Sequence, residues 1–237
     1  MKVMDVSELY DPEFRKLIKS KKPTIIIPVG SIEQHGAHLP ITTDSDIVTE
    51  IASRLAKKCG FIVFPTISYG ISHEHDPLFN ISIPDDYYRD FLNMLIRSLD
   101  DLMHDSLDSI IILNGHHGNV KVLNKLASFE APCFQKSRDY SYWHFMKHEF
   151  DHAGFVETSI MLAISDKVKM KKAKKGLITK GLSKKEKERI SKLSTERGGF
   201  PKVAKNGVWG DPTGATKKDG EKFLAEIVRN LAKECQT

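Results

Sequence analysis

Carboxylates and imidazoles in this sequence gather in four short segments. They are G-S-I-E-Q-H-G at 30–36 with Asp44 following, S-H-E-H at 72–75, N-G-H-H-G-N at 114–119, and H-A-G-F-V-E at 152–157. A single histidine in a loop is far more often a hydrogen-bonding group than a ligand, so no one segment decides anything. The combination is more specific, because Glu33, His35, Asp44 and His116 all fall just after predicted buried strands, where chain geometry brings residues together. Imidazole and carboxylate donors without cysteine suit zinc, manganese or iron rather than a thiolate-rich structural site. Several acids in one cleft repel one another, and a metal cation is the natural remedy. Other chemistries lack their signatures: there is no G-x-S-x-G elbow, no P-loop lysine and no G-x-G-x-x-G. The H-E-H run lacks the helical context of a metalloprotease H-E-x-x-H, so Ser72, His73 and His75 are read as pocket lining.

These residues need a scaffold, and the hydrophobic pattern supplies one. Residues 24–29, TIIIPV, form a β-branched run that ends at Gly30, as a buried strand should. A loop from Ser31 to Thr43 follows, then a helix from about Asp46 with Ile47, Ile51 and Leu55 on one face and Gly60 as its stop. Residues 61–64 read as a second strand. Asp85 opens a helix carrying Leu92, Ile96 and Leu99, and residues 109–113, SIIIL, form another buried strand before the 114–119 turn and a helix with Val122, Leu123 and Leu126. Towards the C-terminus the pattern predicts a short helix over 186–193, a Gly/Pro-rich loop over 198–212 and a terminal helix over 217–233. Strands alternating with amphipathic helices predict a layered α/β/α fold with a mainly parallel central sheet, in which functional residues collect at the carboxyl ends of strands.

At 237 residues the chain fits one large core, and a single domain over 1–237 is the expectation. No apolar run approaches the ~20 residues that span a bilayer, and the first residues, MKVMDVSELYDPEF, carry acids where a signal peptide has its apolar core. The expectation is a cytoplasmic protein with no membrane partner. Cys59, Cys133 and Cys235 are scattered, in no spacing that suggests zinc or a redox pair, and read as reduced thiols. The net charge of +5 is local in origin: between Lys167 and Lys205 lie fifteen Lys/Arg against three Glu, leaving 21 basic and 28 acidic residues elsewhere. That segment holds Phe200 as its one aromatic, which argues against a stacking platform for nucleic acid.

The segments VGSIEQHGAHLPITTDSDI, SYGISHEH, LNGHHGN, HAGFVETS and GVWGDPTGAT, in this order, resemble the motifs of the creatininase family. That family includes creatinine amidohydrolase and the archaeal formamidopyrimidine-nucleotide deformylase of flavin and deazaflavin biosynthesis. The resemblance runs from about Ile25 to the terminal helix. It implies two divalent metal ions per subunit, with Glu33 and His116 on one, His35 on the other and Asp44 bridging both. In creatinine amidohydrolase the turn after the metal-binding histidine supplies a glutamate where this chain has Gly118. Relatives with glycine there point to the glutamate of the E-T-S motif as the last ligand, here Glu157. This departure bears on creatinine as the substrate more than on the metal site.

The resemblance further implies metal-assisted hydrolysis of an amide, with His152 as base and then as acid to the leaving nitrogen. His117 and Glu149 are candidates to brace the metal-bound histidines. Family members assemble as hexamers, so a homo-oligomer acting on a small-molecule substrate is expected. The leading reading is hydrolysis of a non-peptide amide C–N bond, in a small cyclic amide such as creatinine or in a pyrimidine-nucleotide formamide; the alternatives are a maturation peptidase cleaving a modified peptide and an idle metal-binding interaction subunit. The last fits least well, because an idle site has no physical need to keep three acids together.

Overall fold

The isoleucine runs decide the architecture. In the computed structural model, which describes residues 4–103, 106–126 and 136–235, they form the middle of a five-stranded sheet. Its strands are β1 (Met4–Asp5), β2 (Thr24–Val29), β3 (Ile62–Val63), β4 (Ser109–Asn114) and β5 (Ser137–Ser141). Their order is β1-β3-β2-β4-β5 and every neighbouring pair is parallel. β2 and β4 pair from Thr24 opposite Ser109 to Val29 opposite Asn114.

Helices cover both faces: α1 (Asp11–Ser20), α2 (Thr43–Cys59), α3 (Asp85–Met103), α4 (Val120–Leu126), α5 (Phe155–Ile164), α6 (Lys184–Ser194), α7 (Phe200–Val203) and α8 (Lys217–Glu234). Because side chains alternate across a strand, each isoleucine run serves two cores. Ile26, Ile111 and Leu113 pack with Ile47, Ile51, Val156, Ile160, Leu224 and Leu231 on one side. Ile25, Ile27, Ile110 and Ile112 pack with Tyr88, Leu92, Ile96 and Leu123 on the other. Each such side chain withdrawn from water contributes roughly 1.5–3 kcal/mol, and this is why both strands are apolar at nearly every position. The result is the single α/β domain with a parallel sheet that the sequence pattern predicts.

The chain leaves β2 through α2 to reach β3 on one side, then returns through α3, on the opposite face, to β4 on the other side of β2. The carboxyl ends of β2 and β4 therefore flank a topological switch point, where a crevice opens. Two differences from the sequence reading bear on the site region. α2 begins at Thr43, so Asp44 sits in a helical first turn rather than in a loop. The run Thr42-Thr43-Asp44-Ser45 reads as loop because such residues are poor helix formers, yet they suit a helix start. The predicted 198–212 loop also contains the short α7. Cys59 and Cys235 are free thiols, while Cys133 lies outside the described residues. Among the described residues no helix is long and apolar enough to cross a membrane.

Candidate metal centre

Both central strands end in glycines that let the backbone pack tightly. A Cβ on Gly30 would come within 2.8 Å of the backbone nitrogen of Ser45, and one on Gly115 within 2.7 Å of the Asp44 carbonyl. The Gly115 N–H donates to the Val29 carbonyl at 2.8 Å, which ties the two strand ends together. The loop after β2 then carries Glu33 and His35 over the crevice, α2 brings Asp44 in from its first turn, and His116 follows β4. The fourth contributor is α5. Asp151 accepts hydrogen bonds from the Val156 and Glu157 N–H groups at its start, so Asp151, rather than His152, caps this helix and aims Glu157 inward.

Glu33, His35, Asp44, His116 and Glu157 converge, all buried. His116 Nδ1 lies 3.0 Å from Asp44 Oδ2 and 3.2 Å from Glu33 Oε2. His35 Nε2 lies 3.1 Å from Asp44 Oδ1 and 3.6 Å from Glu157 Oε2. The other ring nitrogens go to backbone: His116 Nε2 donates to the Ile71 carbonyl at 2.7 Å and His35 Nδ1 to the Glu33 carbonyl at 3.2 Å. A histidine held by a carbonyl at one nitrogen presents a lone pair at the other, the arrangement metal-ligating histidines adopt. Those lone pairs face carboxylate oxygens, so acceptors confront acceptors. Glu33 Oε1, Asp44 Oδ2 and Glu157 Oε1 are buried without a well-aligned donor, even where an imidazole nitrogen is at ion-pair distance. Divalent cations fit this donor set, with Asp44 offering one oxygen to each side.

Without cations, protons must relieve the same conflict. Burial works against a charge on His35, but Asp44, Glu157 and Glu33 outweigh it and raise its pKa to about 10. His116 is likewise raised, burial being overcome by Glu33 and Asp44. Burial raises Glu157 to about 8, partly offset by His35 and reinforced by Asp44. Asp44 stays well below the usual carboxylate range, since His35 and His116 overcome its burial.

His152 stands at the edge of this cluster, its ring 4.3 Å from that of His35 and its Nδ1 3.7 Å from Glu33 Oε1. Paired backbone hydrogen bonds with Trp209 hold it in place. Burial, then the neighbouring His35 and His75, push its pKa well below the usual value, so it is a neutral base. His75 Nε2 reaches Glu33 Oε1 at 3.1 Å. Gln34, which the sequence did not single out, puts its side-chain nitrogen 2.9 Å from His75 Nδ1 and 3.1 Å from His152 Nε2. Glu74 is a second addition: this buried acid lies 3.5 Å from His116 Nε2. It is hard to find from sequence, because a buried acid in a polar turn breaks no periodicity.

The cluster floors a cavity of about 640 Å³, with His73, His75, Phe200 and Trp209 in its walls. Ser72 does not line it; its hydroxyl faces the Ile81 carbonyl at 3.5 Å and its N–H bonds Ser82, bracing the loop. His117 is exposed and lines the cavity with its ring stacked 6.1 Å from Trp143, and it braces neither His35 nor His116, whose second nitrogens go to backbone carbonyls. Glu149 is exposed, and its carbonyl accepts from His148 Nδ1. The chain turns inward only at Phe150, so the buried acid of this stretch is Asp151, not Glu149. Tyr142 and Trp143 fill the core beside Phe150.

The sequence profile of the creatininase family, described as creatinine amidohydrolase, matches residues 7–235. The chain belongs to the creatininase family. It is 34% identical over 224 residues to the mycofactocin precursor peptide peptidase of Mycobacterium ulcerans (strain Agy99), covering 89% of this chain and 84% of that protein. It is 25% identical over 185 residues to the creatinine amidohydrolase of Pseudomonas putida, covering 67% and 71%. A solved structure titled creatininase Mn superposes with a TM-score of 0.78 at 22% identity, covering 98% of this chain and 97% of the other, which shows a shared fold. As a creatininase-family member this chain is placed among hydrolases, with residue clusters able to hold metal. At Gly118 a Cβ would strike the Ile71 carbonyl and come within 2.7 Å of Glu74, so a glutamate cannot enter there unless the backbone moves.

Proposed function

We propose that this protein is a dinuclear-metal-dependent hydrolase that cleaves an amide C–N bond in a peptide-sized substrate. The observation that carries this is the confrontation of imidazole lone pairs and carboxylate oxygens around Asp44. Glu33, Asp44 and His116 form one side of the site, and His35, Asp44 and Glu157 the other. Divalent cations held there, zinc, manganese or iron by donor type, supply Lewis acidity toward the amide carbonyl and acidify water. His152, neutral and beside Glu33, accepts the proton released by the attacking water and returns it to the amide nitrogen, which otherwise leaves poorly. Gln34 orients His152 through its backbone carbonyl, which accepts from Nε2 at 3.1 Å and leaves the Nδ1 lone pair free to take the proton, and the Phe200 ring packs 4.8 Å away on the other side.

Size favours a peptide over a small cyclic amide. A cavity of about 640 Å³ falls in the range that buries drug-sized ligands, and creatinine would leave most of it empty. The peptidase relative, matched over most of both chains, supports the same choice. The test is metal analysis of the purified protein followed by a hydrolysis screen of short peptides, creatinine and the formamidopyrimidine nucleotide. Metal-dependent cleavage of peptides is expected, with His152→Ala retaining metal and losing about 10²–10⁴ in rate. A protein that takes up no divalent ion, or hydrolyses nothing when loaded, overturns the reading.

A further inference from the structure

The strongly basic segment is not remote from the cavity. Its helix, α6, forms one cavity wall through Ser191 and Ser194. Ile190 anchors α6 to the body and Ser194 is buried, while Lys184, Lys185, Lys187 and Lys192 are exposed. Residues three and four apart share a helix face, so Lys184, Lys187, Ser191 and Ser194 form one line running from outside to inside. Lys187 makes no salt bridge among the described residues, and Lys184 meets only the exposed Glu188 at 3.9 Å. A cation row with so little internal compensation, on the helix that walls the cavity, attracts negative charge approaching along that helix.

We infer that this face of α6 seats an acidic stretch of the substrate peptide, lying about three to five residues from the residue that reaches Ser194. At 1.5 Å per residue of helix, Lys187 stands roughly 10 Å and Lys184 roughly 15 Å from Ser194, and an extended peptide advances ~3.3 Å per residue. The spacing therefore fixes where the carboxylates fall. Nucleic acid fits this face poorly, because stacking needs exposed rings and Phe200, the aromatic of the basic segment, is buried. The inference rests on the peptide-hydrolase reading, and it adds the charge of the substrate and the place where that charge is read.

Fluorescence anisotropy of labelled peptides on the full-length, manganese-loaded protein tests it. Two peptides of equal length are compared, one with glutamates at the proposed positions and one with glutamines there. The glutamate peptide should bind at least about tenfold tighter, and the advantage should vanish as salt rises from about 0.01 M to about 1 M and the Debye length falls from ~30 Å to ~3 Å. The double variant Lys184→Glu/Lys187→Glu should lose the preference while taking up manganese as the native protein does in calorimetry. Equal binding of the two peptides, a preference that survives in the double variant, or a single-stranded oligonucleotide that binds more tightly than the glutamate peptide overturns the inference. If the peptides bind equally but are cleaved in a metal-dependent way, the surface is wrong and the hydrolase stands. If the glutamate peptide binds selectively but no metal-dependent cleavage occurs, the hydrolase reading falls instead.

Discussion

His35 and His116 each spend one ring nitrogen on a backbone carbonyl and turn the other toward carboxylates. In the metal-free chain those nitrogens hold protons at neutral pH, because His35 is raised to about 10 and His116 is raised too, and Glu157, at about 8, keeps its proton as well. Ligands must lose these protons to bind metal. Asp44, held low, has none to lose. Metal affinity should therefore rise with pH through the neutral range, and binding should release protons. Calorimetric manganese titration in buffers of differing ionisation enthalpy measures that release; buffer-independent heats would show that the nitrogens are already bare. Gly118 makes a second residue-level prediction. Its missing Cβ leaves the gap in which the Ile71 carbonyl, the His116 ring and Glu74 meet. Gly118→Ala should cost about 1–3 kcal/mol as overpacking, and metal affinity as well, since the Ile71 carbonyl that it pushes aside is the one that holds His116 Nε2. Thermal melts of the apo-protein beside metal titrations separate the two effects.

Elements carry these residues, and α5 illustrates how. Its first turn presents Glu157, and Asp151 caps it by accepting from the Val156 N–H at 3.0 Å. Asp151→Ala should cost about 0.5–2 kcal/mol in denaturant unfolding, while Asp151→Asn, whose amide oxygen can accept the same bond, should cost little. Equal losses would place the effect in charge rather than capping. The same scale explains what could be read in advance. TIIIPV and SIIIL were legible as central strands because burial on both faces leaves an unbroken apolar signal. The edge strands were not: Met4–Asp5 pairs only two residues, and Ser137–Ser141 is polar, as strands at sheet edges often are. The candidate ligands Glu33, His35, Asp44 and His116 were legible as a group because strand ends announce them. Glu74, Gln34 and Asp151 were not, since what makes each matter is a partner distant in sequence or burial, neither of which has a local pattern.

At the scale of the whole molecule, the site is a knot between four distant stretches of chain: the loop after β2, the start of α2, the turn after β4 and the start of α5. Hydrogen bonds from Ser45 to the Ser31 carbonyl, between His38 and Thr158, and from Asn119 to the Gly30 carbonyl tie these stretches together around the site, but the side chains gathered at its centre repel as acids or compete as acceptors when no cation is present. Cations should thus stabilise the fold as well as serve chemistry. A ligand that binds only the folded state at a hundred times its dissociation constant contributes about 2.7 kcal/mol. For a chain of this size that corresponds to roughly 5–10 °C in melting temperature. Chelation of the metal-loaded protein should lower the melting temperature by about that amount, and re-addition of manganese should restore it. Asp44→Asn separates this linkage from nonspecific effects of the chelator. The variant removes the carboxylate that lies 3.1 Å from His35 and 3.0 Å from His116, so its melting temperature should respond to neither chelator nor metal. A variant that still gained several degrees from manganese would mean that the cation sits elsewhere, and that the cluster around Asp44 is held together by protons alone.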